Sequence, residues 1–159
     1  MASLLYGVKT LETPVIKLPV AADQTFYHQG HAFVLVDGNG HVAIATDADA
    51  TIFGYAIIPS GMGAGTVADT WVSSATSAAD FLAVVPAGSG AQFLVPSTDT
   101  VAATQIGNAC DISADGITID SGVSTTNVLV IDDVGTKWGG PAASALVRIN
   151  PIKGQADTT

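Results

Sequence analysis

Charged side chains are scarce in this sequence, and basic ones most of all. Asp and Glu contribute 14 residues and Lys and Arg contribute 5, so charged residues form 12% of the chain and the formal net charge is −9. Soluble domains usually carry about 25% charged residues. A protein that neutralises phosphates needs clustered bases, but here they are scattered along the chain, at Lys9, Lys17, Lys137, Arg148 and Lys153. We therefore expect no direct binding of nucleic acid.

Cysteine and long apolar runs are also lacking. Cys110 is the only cysteine, so no intramolecular disulfide can form, which fits synthesis in a reducing compartment. No stretch approaches the roughly 18 apolar residues of a membrane helix. The first residues, MASLLYGVKTLETP, lack the basic start and apolar core of a secretion signal. We expect a protein without a membrane span or export signal.

The side chains that bind and polarise substrates are few, since the chain has one Arg and one Glu. Gly88-Ser89-Gly90 lacks the G-x-S-x-G spacing of a nucleophile elbow, and Cys110 has no His-bearing motif beside it. Asp132 and Asp133 are adjacent, and neighbouring side chains in a strand diverge, so they are not expected to act as a catalytic pair. We expect neither an enzyme nor a cofactor.

Three motifs resemble ligand sites without completing one. His28 and His31 would share a face on a helix but not on a strand, and Gly30 disfavours the helix, so surface histidines are favoured over zinc. Gly61–Gly65 lacks the following helix and the Lys-Ser/Thr pair of a phosphate loop, which favours a mobile surface loop. Asp111–Gly116 resembles the start of a calcium loop, but the twelfth position is Gly122, and an Asp-Gly turn accounts for the same residues. We expect no metal.

Short strands and tight turns dominate what is present. FVLVDGNGHVAIAT, residues 33–46, places two apolar runs around Asp37-Gly38-Asn39-Gly40, the turn chemistry of a β-hairpin. Only Ser74–Phe81 has modest helical character, with Ser77 as a candidate cap. No internal repeat of fixed period is evident. The pattern predicts an all-β fold, a compact sandwich or barrel of short antiparallel strands. Further strands are predicted at residues 52–58, 70–73, 81–85, 92–95, 109–112, 117–120, 128–132 and 145–150.

Residues 1–25 are predicted to form an extended N-terminal arm. Pro14 and Pro19 flank the short apolar run Val15-Ile16-Lys17-Leu18, which suits an arm or an edge strand better than a helix. An arm can reach a neighbouring subunit, and a strand on the sheet of the same subunit is the alternative. Residues 26–153 then form the β domain, as one body or as two small β subdomains, and residues 154–159 a flexible tail.

Several segments taken together resemble a tailed-phage capsid decoration (cement) protein. Residues 30–36, 39–45 and 52–56 are similar to the strand, glycine turn, strand and I-x-G-x-A progression of that family. A later part of the resemblance lies in residues 81–86, 93–96, 110–112, 128–132 and 146–151. It covers most of residues 30–151, while residues 61–79 carry none of it.

The resemblance implies an all-β protein on the outer surface of an icosahedral phage head that trimerises at, or bridges, local symmetry axes, and we expect a homotrimer. Such a protein locks neighbouring major capsid protein subunits against the internal pressure of the DNA. It would be made in the cytoplasm of the bacterial host and end in the virion. A clamp of this kind needs a rigid sheet scaffold and contact area rather than reactive groups.

We predict that the arm supplies capsid or subunit contacts, through Leu4, Leu5, Tyr6, Val15, Ile16 and Leu18. Trp71 and Trp138 are further candidates because interfaces favour Trp, with core packing as the alternative for each. Two other classes stay open. One is a surface adhesin or carbohydrate-binding β module, in which exposed Tyr, Trp and Asp hold sugar. The other is a small hydrolase on a β-barrel, which needs a pocket of convergent polar groups.

Overall fold

Strands dominate the computed structural model, which describes residues 7–9, 15–26, 31–57 and 71–154. Short 3-10 helices lie at Ala87–Ser89, Ala103–Gln105, Gly135–Trp138 and Pro151–Lys153, and these described ranges contain no α-helix. The predicted all-β fold of short antiparallel strands is confirmed. In chain order the strands are β1 (Gly7–Val8), β2 (Ile16–Pro19), β3 (Thr25–Phe26), β4 (His31–Val36), β5 (Val42–Ile44), β6 (Gly54–Ile57), β7 (Trp71–Val72), β8 (Phe81–Pro86), β9 (Gln92–Pro96), β10 (Ala109–Ile112), β11 (Ile119–Asp120), β12 (Leu129–Val134) and β13 (Ser144–Ile149).

The predicted hairpin is present as β4 and β5. The Asp37 carboxylate accepts hydrogen bonds from the backbone N–H groups of Asn39 at 2.8 Å and His41 at 2.9 Å. Gly40 has a φ of +82°, the left-handed region that favours glycine. The side chain of Asp37 and the conformational freedom of Gly40 therefore close this turn.

The predicted helical character of Ser74–Phe81 is wrong. These residues form turns and bends up to Asp80, and Phe81 begins β8. Instead of capping a helix, the Ser77 hydroxyl accepts a hydrogen bond at 3.2 Å from the N–H of Ala22 in a distant segment. The Asp80 carboxylate accepts one from the Ser74 N–H at 2.7 Å. Side chains of this kind offer the backbone turn partners that compete with a helix.

Two antiparallel sheets form the body of the protein. The first has the strand order β2-β8-β6-β4-β5, and the second has the order β1-β9-β13-β12-β10-β11. Each sheet curls into a half-barrel. A parallel bridge joins the residue after β2 to β5 in the first sheet, Val20 to Val42, and the residue after β9 to β11 in the second, Ser97 to Ile119. A separate ribbon pairs β3 with β7.

The same strand topology occurs twice along the chain. We call β2, β4, β5, β6 and β8 the N-terminal unit, and β9 to β13 the C-terminal unit. In both units the first strand pairs with the fifth, the fifth with the fourth, the fourth with the second and the second with the third. In both, a residue directly after the first strand bridges to the first residue of the third strand. The fold is therefore an internal structural repeat.

The repeat extends to the register of individual residues. Ile16 and Phe93 are equivalent residues of the two first strands. Ile16 lies opposite Val84 on the fifth strand of its unit, and Phe93 lies opposite Val147 on the fifth strand of the other. The hydrogen bonds that follow each first strand also correspond. The Val20 N–H donates to the Asp80 carbonyl and the Ser97 N–H to the Ala143 carbonyl, both at 2.9 Å. The Ala21 N–H donates to Val42 and the Thr98 N–H to Ile119, again both at 2.9 Å.

The two units stack head to tail. One face of the N-terminal unit carries Phe33, Tyr55 and Val85, which are buried in one cluster with the interior of the C-terminal unit. The rings of Tyr55 and Phe93 stack with centroids 4.3 Å apart. The other face of the N-terminal unit packs against Phe26 and Trp71 of the β3–β7 ribbon. Three layers therefore surround two apolar clusters.

The exposed face of the C-terminal unit ends this stack. At the positions that Tyr55 and Val85 occupy in the N-terminal unit, the C-terminal unit has Val130 and Arg148. The Asp132 carboxylate accepts hydrogen bonds from Arg148 Nε at 3.1 Å and from the side-chain amide of Gln92 at 3.0 Å. A polar network of this kind does not fit the apolar interior of another unit, because buried charges need partners.

Candidate functional site

The outer edge of the N-terminal unit carries exposed apolar side chains. Val15 is 54% exposed, Ile16 is 40% exposed and Phe81, at the start of the neighbouring strand, is 46% exposed. The Lys17 ammonium lies 5.8 Å from the centre of the Phe81 ring, within the range of a cation–π contact. We call Val15, Ile16, Lys17 and Phe81 the β2 edge. It is the candidate site for binding a partner.

Residues 16–19 of the predicted arm form a strand on their own sheet, the alternative that the sequence left open. Ile16 lies opposite Val84 and Leu18 opposite Leu82. Leu18 is half-buried and packs against the core of the N-terminal unit. Of the predicted contact residues, Val15 and Ile16 are each exposed at this edge, while Leu18 supports the strand from inside. Leu4, Leu5 and Tyr6 lie outside the described residues.

The backbone of the β2 edge offers hydrogen-bonding groups to solvent. In an antiparallel pair, alternate residues direct both N–H and C=O towards the same neighbouring strand. Val20 donates towards β8, whereas Ala21 donates to Val42 on the opposite side. By this alternation the backbone N–H and C=O groups of Ile16 and Leu18 are directed towards β8. Those of Lys17 are directed outwards, away from β8. In the part of the chain that the structure describes, β5 approaches that side only after β2, at Val20 and Ala21, and no strand lies beside Lys17.

The two tryptophans lie in different environments. Trp71 is half-buried in β7, and its ring centroid lies 5.4 Å from that of Phe26 in the core of the N-terminal unit. Trp138 is exposed in the 3-10 helix of the C-terminal unit, and its indole N–H donates to Asp133 Oδ2 at 3.3 Å. The structure therefore does not bring them together, and of the two only Trp138 presents much surface to a partner.

The Asp111–Gly116 segment is a structural turn rather than a cation loop. The Asp111 carboxylate is buried and accepts hydrogen bonds from the backbone N–H groups of Thr125, Thr126 and Asn127 at 2.8 to 3.1 Å. Asp115 accepts from the N–H groups of Ile117 and Thr118 at 2.9 and 2.8 Å. The predicted Asp-Gly turn between two strands is confirmed, since β10 and β11 pair antiparallel.

The pKa values of two buried groups follow from this packing. Burial by itself would raise the pKa of Asp111, but the hydrogen bonds from Asn127, Thr126 and Thr125 outweigh it and lower the pKa. Burial raises the pKa of the Cys110 thiol to about 12, and the charges of Asp111 and Asp120 add to this shift. The thiol is therefore protonated at neutral pH and is a poor nucleophile.

The remaining sequence candidates do not converge. Asp132 accepts from Arg148, whereas Asp133 lies 3.1 Å from the Lys137 ammonium, so the two carboxylates have separate partners. The Ser89 hydroxyl accepts from the Ala91 N–H at 3.2 Å. His28 and residues 61–65 lie outside the described ranges. Among the residues that are described, no three His, Cys, Asp or Glu side chains form a group able to hold a metal ion.

Comparisons with protein-family models, with curated proteins and with solved structures find no match to this chain. Within the described ranges, no helix has the length and hydropathy that crossing a membrane requires. Lys17 and Phe81 were missed as members of the site. Phe81 follows Asp80 at the start of an apolar strand, and the sequence does not reveal that its neighbour β2 is an edge strand.

Proposed function

We propose that the protein is a capsid decoration protein that binds the outer surface of an icosahedral phage head and stabilises contacts between major capsid protein subunits. The identity of the partner comes from the sequence resemblance in residues 30–151. The β2 edge supplies the contact surface, and we propose that the protein binds as a homotrimer in the virion.

The observation that carries the proposal is the exposed apolar edge on a well-packed β scaffold. Val15, Ile16 and Phe81 present apolar surface, and Lys17 presents backbone hydrogen-bonding groups, at one border of the N-terminal unit. Adding a strand at such an edge combines main-chain hydrogen bonds with side-chain contacts. Behind the edge, the two stacked units bury their apolar clusters. The arrangement suits a clamp that transmits load without rearranging.

The small number of contacts at one edge is sufficient if many copies act together. A single strand addition is a weak interaction, but a multivalent array on a symmetric surface raises the overall affinity without new contacts. The acidic chain, with its formal net charge of −9, is also repelled by exposed nucleic acid. Binding to the outside of a closed head avoids that repulsion.

A direct test compares two exposed apolar positions. The oligomeric mass is first measured by light scattering, and saturation binding to undecorated tailed-phage capsids is then measured by co-sedimentation. Val15→Ser alters the β2 edge, while Ile152→Ser is the matched control, since Ile152 is 83% exposed in the last 3-10 helix. We expect Val15→Ser to weaken capsid binding about tenfold or more through the loss of avidity, and Ile152→Ser to leave it unchanged. No binding by the wild type, together with retention on a glycan array, would favour the adhesin class.

A further inference from the structure

The two units of the repeat differ at one edge. In the C-terminal unit the outer side of the first strand is occupied, because β1 pairs antiparallel with β9. Gly7 lies opposite Leu94, Val8 opposite Phe93, and the Lys9 N–H donates to the Gln92 carbonyl at 2.8 Å. In the N-terminal unit the described residues place no strand beside residues 15–17 on the outer side of β2.

The vacant edge and the filled edge are equivalent positions. Lys17 in the N-terminal unit is equivalent to Leu94 in the C-terminal unit. Lys17 lies opposite Ala83 on β8, and Leu94 lies opposite Leu146 on β13. Both Lys17 and Leu94 come three residues before the residue that bridges to the third strand of their unit. The Leu94 N–H and C=O are directed towards β1 by the same alternation that directs those of Lys17 outwards.

We propose that the β2 edge is a strand acceptor, which binds an extended segment of another protein antiparallel to Val15–Lys17, as β9 binds β1. The C-terminal unit is the template for the sequence of that segment. An apolar residue lies opposite Ile16, where Val8 lies opposite Phe93. A small or acidic residue lies opposite Lys17, where Gly7 lies opposite Leu94.

The charge of the edge selects a different protein over a second copy. If two copies paired through β2 about a two-fold axis at Lys17, the two ammonium groups would lie opposite each other, which destabilises a strand pair. Lys and Pro are also the residues with which edge strands resist self-pairing, and both Lys17 and Pro19 belong to β2. Pro19 has no N–H to donate, so the accepting stretch is limited to residues 15–17. The apolar Val15 and Ile16 within that stretch are still exposed.

The proposal that the β2 edge accepts a strand extends the proposed function. Only the identification of that strand as a segment of the capsid subunit rests on the proposed function. The edge itself can be tested without capsids. A suitable probe is a capped peptide with the sequence of residues 5–11, LYGVKTL, which includes the strand that fills the equivalent edge. A second peptide carries Gly7→Asp, to place a carboxylate opposite Lys17.

The test follows the backbone amide resonances of the full chain by NMR during titration with each peptide. We expect the peptides to shift the amides of Lys17 and its neighbours, and the Gly7→Asp peptide to bind about two- to fivefold more tightly, as expected for an opposite-charge cross-strand pair. Lys17→Pro removes the outward N–H together with the ammonium group, a backbone change that edge strands tolerate, and should abolish binding. Lys17→Ala retains the N–H and should bind the unmodified peptide like the wild type.

A charge exchange keeps the test decisive if Lys17→Pro does not fold. Lys17→Glu should bind the Gly7→Asp peptide more weakly than the wild type does, and a Gly7→Lys peptide more tightly. The proposal is overturned if no amide near Lys17 shifts, or if the shifts appear at Leu94 because the peptide displaces β1. It is also overturned if Lys17→Pro folds and binds equally well. Self-association that Lys17→Pro abolishes would instead identify a second copy as the occupant.

Capsid binding then separates the two proposals. If the wild type and a folded Lys17→Pro variant bind capsids equally, the acceptor role is wrong while the decoration function stands. If the peptide binds at Lys17 but the wild type does not bind capsids, the acceptor edge stands and the decoration function fails.

Discussion

Replacement of the buried Asp111 by Asn should destabilise the C-terminal unit strongly while preserving the shape of the side chain. The carboxylate accepts four backbone contacts, two on each oxygen, at 2.8 to 3.1 Å from residues 125–127. An amide keeps one accepting oxygen and turns an NH₂ group towards the other donors. Hydrogen bonds to a charged group contribute about 1.5–3 kcal/mol each, and an unsatisfied buried donor adds a penalty of similar size, so we expect a loss of about 2–4 kcal/mol.

The pH dependence of this loss gives a second, independent measurement. The pKa of Asp111 is lowered in the folded protein, so the ionised carboxylate is bound more favourably than in the unfolded chain, where the pKa is about 3.9. Its contribution is fully present above about pH 5 and is lost as the pH falls through 3.9 towards the folded pKa. The difference in unfolding free energy between wild type and Asp111→Asn should therefore narrow in acid.

Denaturant unfolding followed by tryptophan fluorescence, at pH 7 and at several acidic values, measures both effects. Asp37→Asn is the matched control, because Asp37 also accepts two backbone N–H groups but lies in a more exposed hairpin turn where water can replace the bonds. We expect it to lose about 1 kcal/mol or less. The reasoning would be refuted if Asp111→Asn were within about 0.5 kcal/mol of the wild type, the usual range for surface substitutions, or if its deficit did not change with pH.

Two further predictions follow from buried backbone contacts and from the buried thiol. Gly54→Ala would place its Cβ against the Val85 carbonyl oxygen and should destabilise the fold by about 1–3 kcal/mol, as overpacking does, whereas Gly38→Ala meets no atom within 4 Å and should change little; equal midpoints in a denaturant titration would contradict this. Cys110, with its pKa raised to about 12, should not react with a chromogenic disulfide reagent at pH 8 until denaturant unfolds the chain, and rapid labelling of the folded protein would show that the thiol is accessible.

Local patterns predicted most of the strands and the two hairpin pairings β4–β5 and β10–β11, but not the pairing between strands distant in sequence. The predicted strand at 81–85 is observed as Phe81–Pro86, and the one at 109–112 as Ala109–Ile112. These predictions succeed because alternation, β-branched residues and turn residues act over a few positions. The prediction of helical character for Ser74–Phe81 failed because polar side chains of this segment form hydrogen bonds with Ala22 and with nearby turn groups. The bond to Ala22 depends on the tertiary fold.

The structural repeat is not evident from the sequence because equivalent residues share only their apolar or edge character. Val34 corresponds to Cys110, and Lys17 to Leu94, by their places in the two ladders. The spacing between equivalent residues also changes from strand to strand, since the connecting loops differ in length. The two units therefore share their strand pairing although the amino acids at equivalent positions differ.

The candidate site was predicted in part. The apolar run between Pro14 and Pro19 indicated an arm or an edge strand, and residues 16–19 form the edge strand, with Val15 and Ile16 exposed. The contribution of Phe81 depends on its pairing opposite Pro19. Such a long-range pair is decided by the whole sheet rather than by either segment alone.

The most direct test of the proposed function is cryo-electron microscopy of undecorated tailed-phage capsids after they are mixed with the purified protein. The account predicts stoichiometric density on the outer surface at local symmetry axes, with the β2 edge facing a major capsid protein subunit. Capsids that remain bare at a saturating concentration of the protein would contradict it.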